Sequence, residues 1–117
     1  MVKKYDIVLV NLEPTKGAEK RGLRPCIVVQ NNPANDSQLQ TVTVAPITSK
    51  IRKFLSMQFV AHSAKNGLKV DSCIDLSQLR TIDKGRIQKL IGALEFQYWS
   101  AVNEKITNFL DLRNEYI

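Results

Sequence analysis

The chain of 117 residues predicts a small α+β domain, mostly β, that ends in one amphipathic helix. Three observations lead to this fold class. The chain is long enough to bury one core but too short for two ordinary domains. Short apolar runs bounded by turn residues fill its first four-fifths, and the hydrophobic period becomes helical after Glu95. We therefore predict a single domain over residues 1–117, with the helix closing one end of a small barrel.

Three strands are predicted in the first half of the chain, each from its own signal. Residues 7–11 are rich in β-branched side chains and run into Pro14, which ends a ladder because it lacks an N–H donor. Residues 25–30 are almost continuously apolar, the pattern of a strand buried on both faces. Residues 41–47 alternate Thr with Val like a half-exposed strand, and Pro46 within them predicts an edge position or a bulge.

Shorter strands are predicted in the second half, over residues 57–61, 72–76 and 79–82. Asn66-Gly67 is a strong turn signal between the first two of these strands. Residues 86–94 fit either a short helix or a strand. Gly92 inside this run favours a strand with a bulge.

The last predicted element is a helix that begins after Glu95. From there, apolar side chains recur every three or four residues, while Asn103, Glu104, Lys105 and Asn108 fall on the opposite face. The members of the predicted stripe are Phe96, Trp99, Val102, Ile106, Phe109, Leu110 and Arg113. This pattern is typical of a surface helix that packs one face on a core.

Composition excludes several classes of protein. Five Gly and four Pro are too few for a collagen-like or low-complexity chain, and 44% hydrophobic residues are too many for a disordered one. No stretch approaches the ~18 apolar residues of a membrane span, and the run 7–10 is too short for a signal peptide. We expect a soluble, cytoplasmic protein with no membrane contact. Cys26 and Cys73 lack metal-ligand spacing and are expected as free buried thiols, with a single disulfide as the alternative.

The net charge is +6, which indicates either an anionic partner or simply solubility. Four of the basic residues lie in residues 13–25, a connection between the first two strands that is longer than a hairpin requires. Its basic residues are Lys16, Lys20, Arg21 and Arg24. The lysines can be a solvated surface, but Arg24 precedes Pro25, whose ring holds the preceding residue extended. A planar guanidinium fixed at the start of a core strand is suited to phosphate.

Two further segments are candidate sites. Thr48, Ser49 and Lys50 end the third strand, where the hydroxyls either cap a turn or hydrogen-bond a phosphate oxygen. Residues 80–84 carry Arg80 and either fix a turn through an ion pair with an Asp or bind a ligand.

Other chemistries have little support in the sequence. The single histidine, His62, has no nucleophile elbow near it, and there is no Gly-rich phosphate loop. The carboxylates do not cluster as a metal-dependent nuclease requires. The remaining groups, basic side chains and hydroxyls with one nearby carboxylate, Glu19, suit phosphodiester chemistry without a metal or cofactor.

Four segments resemble the MazF/PemK family of toxin endoribonucleases, in matching order and spacing. They are P-T-K-G-A-E-K-R-G-L-R-P at 14–25, A-P-I-T-S at 45–49, R-T-I-D-K at 80–84 and I-G-A-L at 91–94. The resemblance implies an SH3-like barrel of the type shared with CcdB toxins, a homodimer, and sequence-specific, metal-independent cleavage of single-stranded RNA. In this reaction the 2′-hydroxyl attacks the adjacent phosphate and leaves a 2′,3′-cyclic phosphate and a 5′-hydroxyl. The resemblance also implies a cognate antitoxin with an acidic, partly disordered tail.

By position, the resemblance assigns catalytic roles to Arg24, Thr48 and Glu19. Arg24 would stabilise charge on the phosphorane and Thr48 would bind a non-bridging oxygen. Glu19 would act as the base or orient Arg24. The residues predicted to bind the RNA are Lys16, Lys20, Arg21, Ser49, Lys50, Arg52, Lys53 and Arg80.

Two other functions compete with the ribonuclease. One is a CcdB-like toxin that binds a protein target without catalysis. Its binding mode uses the final helical residues, and residues 111–117 show no resemblance to them, which favours the enzyme. The other is a regulator that binds nucleic acid without cleaving it.

Overall fold

The computed structural model describes residues 1–19 and 21–113 of the chain, which form a mostly β structure with a C-terminal helix. The strands are β1 (Asp6–Asn11), β2 (Leu23–Val28), β3 (Thr41–Thr48), β4 (Met57–Val60), β5 (Ser72–Asp75), β6 (Arg80–Asp83) and β7 (Ile87–Ala93). The α-helices are α1 (Asn32–Asn35) and α2 (Trp99–Leu110), and 3₁₀ turns cover Leu76–Gln78, Lys84–Arg86 and Phe96–Tyr98. The predicted fold class and the approximate place of every predicted strand are confirmed.

The strands form one antiparallel sheet in the order β4-β5-β3-β2-β1-β7, with β6 paired to β3. The small barrel that the sequence predicts is not closed in the described residues, because the end strands β4 and β7 do not pair with each other. The connection between β4 and β5 lies against β7 instead, where the Ala93 N–H donates to the Lys65 carbonyl at 3.1 Å. The sheet is therefore covered at this edge by a loop, not closed by a strand ladder.

Pro46 lies on neither an edge nor a bulge, which corrects its predicted position. It pairs with Cys26 of β2 in a regular register. On its other side, β3 pairs with β6 over residues 41–44 and with β5 only from Ile47. Pro46 lies between these two pairings, so its missing N–H interrupts neither the ladder with β6 nor the ladder with β5.

Two clusters of buried side chains fill the two sides of the sheet, and β2 contributes to both. Ile27 belongs to the cluster that α2 covers, whereas Cys26 and Val28 belong to the other. All three residues have no exposed surface, which confirms the predicted strand buried on both faces.

The apolar stripe of α2 is shorter than predicted. Val102 is fully buried, but Phe96, Phe109 and Leu110 are exposed. Phe96 lies in the 3₁₀ turn before α2, and Asp111, at φ 56°, ends the helix two residues before Arg113. The hydrophobic periodicity predicted the helix correctly. The buried face that it predicted is longer than the part of α2 that contacts the core.

The ambiguous segment 86–94 is a strand, as Gly92 indicated. The pairing of β7 with β1 shifts register between the Ile7–Gly92 and Val8–Leu90 pairs, so the predicted bulge is confirmed. The short helix α1 was not predicted. It begins where Asn31 accepts a hydrogen bond from the Ala34 N–H at 2.9 Å, which makes Asn31 the N-cap.

Candidate functional site

Arg24 and Thr48 lie just beyond the ladder that joins β2 to β3, which runs from the Val28–Val44 pair to the Cys26–Pro46 pair. Continuing this register by two residues along each strand would set Arg24 across from Thr48. Directly opposite residues of an antiparallel pair have side chains on the same face. That the guanidinium and the hydroxyl form one site is therefore a prediction from the register.

The Arg24 side chain is half-buried and oriented by the backbone. Its Nε donates to the carbonyl oxygen of Arg21 at 2.9 Å. Among the described residues, neither Arg24 nor Arg80 forms a salt bridge with a carboxylate. Burial raises the pKa of the neighbouring Cys26 thiol to about 12, although the positive charges of Arg80 and Arg24 act against this shift. The thiol stays neutral at physiological pH, so it does not neutralise either guanidinium.

Thr48 is buried, with 5% of its surface exposed. Its Oγ1 accepts a hydrogen bond from the Lys50 N–H at 3.2 Å, so the hydroxyl does cap the turn after β3, one of the two roles considered from sequence. A hydroxyl also carries one donor. The Thr48 O–H can therefore donate to an anion while its oxygen still accepts the hydrogen bond from the Lys50 N–H.

Glu19 is exposed and folded back on its own loop. Its Oε1 accepts a hydrogen bond from the Lys16 N–H at 2.8 Å, and its own N–H donates to the Lys16 carbonyl at 3.1 Å. Its described contacts are thus with Lys16, while the Arg21 carbonyl holds the Nε of Arg24. Both predicted roles of Glu19, as a base or in orienting Arg24, remain predictions.

The other predicted RNA-binding residues occupy two loops and one strand. Lys16, Arg21, Ser49, Lys50, Arg52 and Lys53 are exposed, and Lys20 lies outside the described residues. Arg21 has a weak partner, with its Nε 3.5 Å from the Glu13 carboxylate.

Arg80 is half-buried, with its Nη1 3.4 Å from the Leu12 carbonyl oxygen. The Asp83 carboxylate accepts from the Gly85 N–H, so within the described part of the chain it fixes a turn without pairing with Arg80. Arg80 thus points toward the start of the basic connection and away from its own turn.

A groove of about 660 Å³ lies beside Arg24. Leu9, Pro25 and Ile47 contribute to it from neighbouring strands, on the face of the sheet opposite to Thr48 because side chains alternate along a strand. The basic residues that border it are Arg21, Arg24, Lys69 and Lys89. Lys69 and Lys89 were not predicted, because each sits in a segment whose local pattern says nothing about its neighbours in space.

One wall of the groove is the β4–β5 connection, which includes Gly67 and Leu68. Asn66 beside them is fully buried, and its Nδ2 donates to the Ala61 carbonyl at 2.9 Å and to Glu95 at 3.1 Å. The predicted turn at Asn66-Gly67 is confirmed, with Gly67 at φ 71°. This wall is fixed by a buried polar network.

The described part of the chain contains no group of three or more His, Cys, Asp or Glu that could hold a metal ion. Cys26 and Cys73 are both free and buried, as the sequence indicated. Within the same residues, no helix is long and apolar enough to cross a membrane.

The fold and site define a class: a small antiparallel β domain with a half-buried arginine that has no carboxylate partner within the described residues, beside a groove with a basic rim. The chain belongs to the family of PemK-like, MazF-like toxins of type II toxin-antitoxin systems, which matches residues 3–110.

Curated relatives cover almost the whole chain. It is 37% identical to endoribonuclease EndoA of Bacillus subtilis over 107 residues, 91% of each protein. It is 34% identical to endoribonuclease MazF of Staphylococcus saprophyticus over 113 residues, 96% of this chain and 93% of the relative. Among solved structures it is similar to toxin MazF-mt6 of Mycobacterium tuberculosis, with a TM-score of 0.78 and 28% identity over 92% of this chain and 98% of that one. MazF of Deinococcus radiodurans, 18% identical with a TM-score of 0.80 over 94% and 96% of the two chains, shares the fold.

Proposed function

We propose that this chain is a sequence-specific endoribonuclease that cleaves single-stranded RNA without a metal, as the toxin of a type II toxin-antitoxin system. The observation that supports the proposal is the half-buried Arg24, which has no carboxylate partner among the described residues. The register of β2 and β3, continued by two residues, would set it across from Thr48. Relatives named endoribonucleases over nearly the full chain favour the enzyme over a CcdB-like toxin that only binds a protein.

The proposed reaction is a transesterification. The 2′-oxygen attacks the adjacent phosphorus, the bond from phosphorus to the 5′-oxygen breaks, and the products carry a 2′,3′-cyclic phosphate and a 5′-hydroxyl. Arg24 stabilises the charge that develops on the phosphorane and polarises the leaving oxygen, while the Thr48 hydroxyl donates to a non-bridging oxygen. Glu19 accepts the proton of the 2′-hydroxyl, and the leaving 5′-oxygen gains a proton from water.

The exposed cations provide the proposed path for the RNA backbone. Lys16, Lys20 and Arg21 precede Arg24 along the chain, and Lys50, Arg52 and Lys53 follow Thr48, so positive charge flanks the pair on both strands. Ser49 and Arg80 complete the proposed set. Because such contacts release counterions, binding should weaken steeply with added salt.

The proposed partners are a cognate antitoxin and a second copy of this chain. The groove combines apolar walls with a basic rim, which fits an acidic, partly disordered tail that also carries apolar side chains. A solved mycobacterial endoribonuclease of the same fold is in complex with its cognate antitoxin, at 15% identity. A homodimer in the cytoplasm completes the proposal, and sedimentation at micromolar concentration would test it, because a monomer would contradict it.

Cleavage of a long single-stranded RNA in EDTA tests the enzyme. We expect cyclic phosphate ends, and a rate lower by about 10² to 10³-fold in Arg24→Ala. Thr48→Val should lose activity that Thr48→Ser retains, because only the second keeps a hydroxyl. Lys3→Ala, which removes one exposed charge far along the chain from both residues, is the control. RNA that stays intact with the native protein over a broad set of sequences would refute the proposal.

A further inference from the structure

One aromatic side chain shares a cross-strand row with the proposed catalytic pair. Thr48 of β3 pairs with Cys73 of β5, and Cys73 pairs in turn with Phe59 of β4. These three residues form a row across three neighbouring strands, and the register of β2 with β3, continued by two residues, extends the row to Arg24. Since directly opposite residues project from the same face, Phe59 lies on the face that carries Thr48.

The members of this row differ sharply in exposure. Thr48 and Cys73 have 5% and 1% of their surfaces exposed, whereas Phe59 has 44%. Phe59 belongs to neither core cluster of the described residues, and β4 is an end strand of the sheet. Its ring is therefore a partly open apolar surface, two strand spacings or about 10 Å from Thr48.

The charge around this ring favours a nucleic acid over an uncharged occupant. The segment that joins β3 to β4 begins after Thr48 and includes the exposed cations Lys50, Arg52 and Lys53. Aromatic rings beside cations are the usual elements of single-strand binding, because bases stack on the ring while the cations hold the backbone. On this face the phosphate-binding pair and the ring are separated by a distance that a neighbouring nucleotide spans.

We infer that Phe59 is a base-stacking subsite, which binds the face of an unstacked nucleobase close to the phosphate held by Arg24 and Thr48. This inference rests on the proposed function and extends it to a residue outside the segments that resemble the toxin family. Stacking tolerates any base, since every base has a π face. Phe59 therefore contributes affinity and places the strand, and it does not read the sequence.

The test uses the full chain and a probe that cannot be cleaved, a labelled mixed-sequence pool of short single-stranded RNA with 2′-O-methyl riboses. Fluorescence anisotropy at low salt measures binding by native protein, Phe59→Ala, Phe59→Leu and Phe59→Trp. Phe109→Ala is the matched control, because Phe109 on α2 is an aromatic of similar exposure, 49%. Circular dichroism and sedimentation confirm that each variant keeps the native fold and oligomeric state.

We expect Phe59→Ala to bind about tenfold more weakly and Phe59→Leu to remain weak, because it restores volume without a π face. Phe59→Trp should bind at least as tightly as the native protein, and Phe109→Ala should be unchanged. Native affinity in Phe59→Ala or Phe59→Leu would overturn the inference, as would a change in oligomeric state, which would assign the ring to a protein interface. If native protein cleaves RNA and Arg24→Ala does not, these outcomes remove only the subsite and leave the proposed function intact.

Discussion

Two connections reach the groove beside Arg24, and they are held in opposite ways. The basic loop, residues 13–22, is mostly exposed in its described part. Its contacts lie at the surface: the Lys16 N–H bonds to Glu19 at 2.8 Å, and Arg21 lies 3.5 Å from Glu13 across an exposed ion pair. From outside the loop, the exposed Arg86 donates to the Glu13 carbonyl oxygen. Such contacts contribute little to folding stability.

The packed loop, residues 61–71, is built on buried groups. Asn66 has no exposed surface, and its Oδ1 accepts hydrogen bonds from the N–H groups of Ser63 and Leu68, each at 3.0 Å. A Cβ added at Gly67 would meet the Ile91 carbonyl oxygen at 2.4 Å, and one added at Gly92 would meet the Lys65 carbonyl oxygen at 2.4 Å. The loop and β7 thus touch backbone to backbone.

This difference assigns the two loops different roles: the packed loop stabilises the fold, and the basic loop serves the proposed RNA binding. The packed loop forms a fixed wall, whereas the cations of the basic loop keep the freedom to meet a phosphate. Substitutions should accordingly affect stability in one loop and RNA binding in the other. The following predictions test that division, beginning with the largest effect.

Gly67→Ala should lower the free energy of unfolding by roughly 3 kcal/mol, because positive φ and a backbone clash combine. Gly17→Ala in the basic loop is the control. Gly17 has a φ of 56°, but nothing lies within 4 Å of an added Cβ, so it isolates the backbone strain at about 1 kcal/mol. Urea unfolding measures both, and equal losses would show that the close approach to Ile91 is not costly.

Asn66→Ala should cost about 2 kcal/mol, because it leaves buried backbone groups without partners. Urea unfolding of this variant, compared with Asn103→Ala on the exposed face of α2, provides the measurement. A loss no larger than that of Asn103→Ala would mean that the packed loop is not held through its buried amide.

The double variant Lys16→Ala and Arg21→Ala should leave unfolding unchanged within about 0.5 kcal/mol. It should weaken RNA binding and reduce the slope of log affinity against log salt by about 0.7 for each phosphate that the variant no longer neutralises. Titrations of the uncleavable RNA pool at several salt concentrations measure the slope. An unchanged slope, or a large drop in the free energy of unfolding, would contradict the assignment of the basic loop to RNA binding.

Acid should loosen the packed loop first. The hydrogen bonds from His62 hold the pKa of Asp71 below its usual value. Burial acts to raise the pKa of Glu95, but hydrogen bonds from Ser63 and Asn66 outweigh it and lower that pKa. Because both carboxyl groups have lowered values in the folded state, their stabilisation is present above the ordinary carboxyl range, about pH 4. It is lost as the pH falls through the lowered values.

Amide hydrogen exchange across this range should show protection lost in residues 61–71 before the central strands. Glu95→Gln combined with Asp71→Asn should flatten this dependence. A pH response that is identical in the native protein and in this variant would contradict the assignment of the response to these two carboxyl groups.

Local signals in the sequence predicted the elements well. β-branched and apolar runs located the strands, Gly92 indicated the bulged strand, and Asn66-Gly67 marked the turn. The prediction for Pro46 failed because it depends on segments that are distant in the chain. An edge or a bulge was expected, but Pro46 pairs with β2 in a regular register and lies where the other side of β3 changes from β6 to β5.

The sequence by itself determined the types of element and the extended, positioned state of Arg24 before Pro25, because these follow from short-range sterics and periodicity. Only the tertiary structure decided that Thr48 and Phe59 lie in one row across the sheet and that the groove has a basic rim. These relations depend on strand register, which is set by packing between segments far apart in the chain.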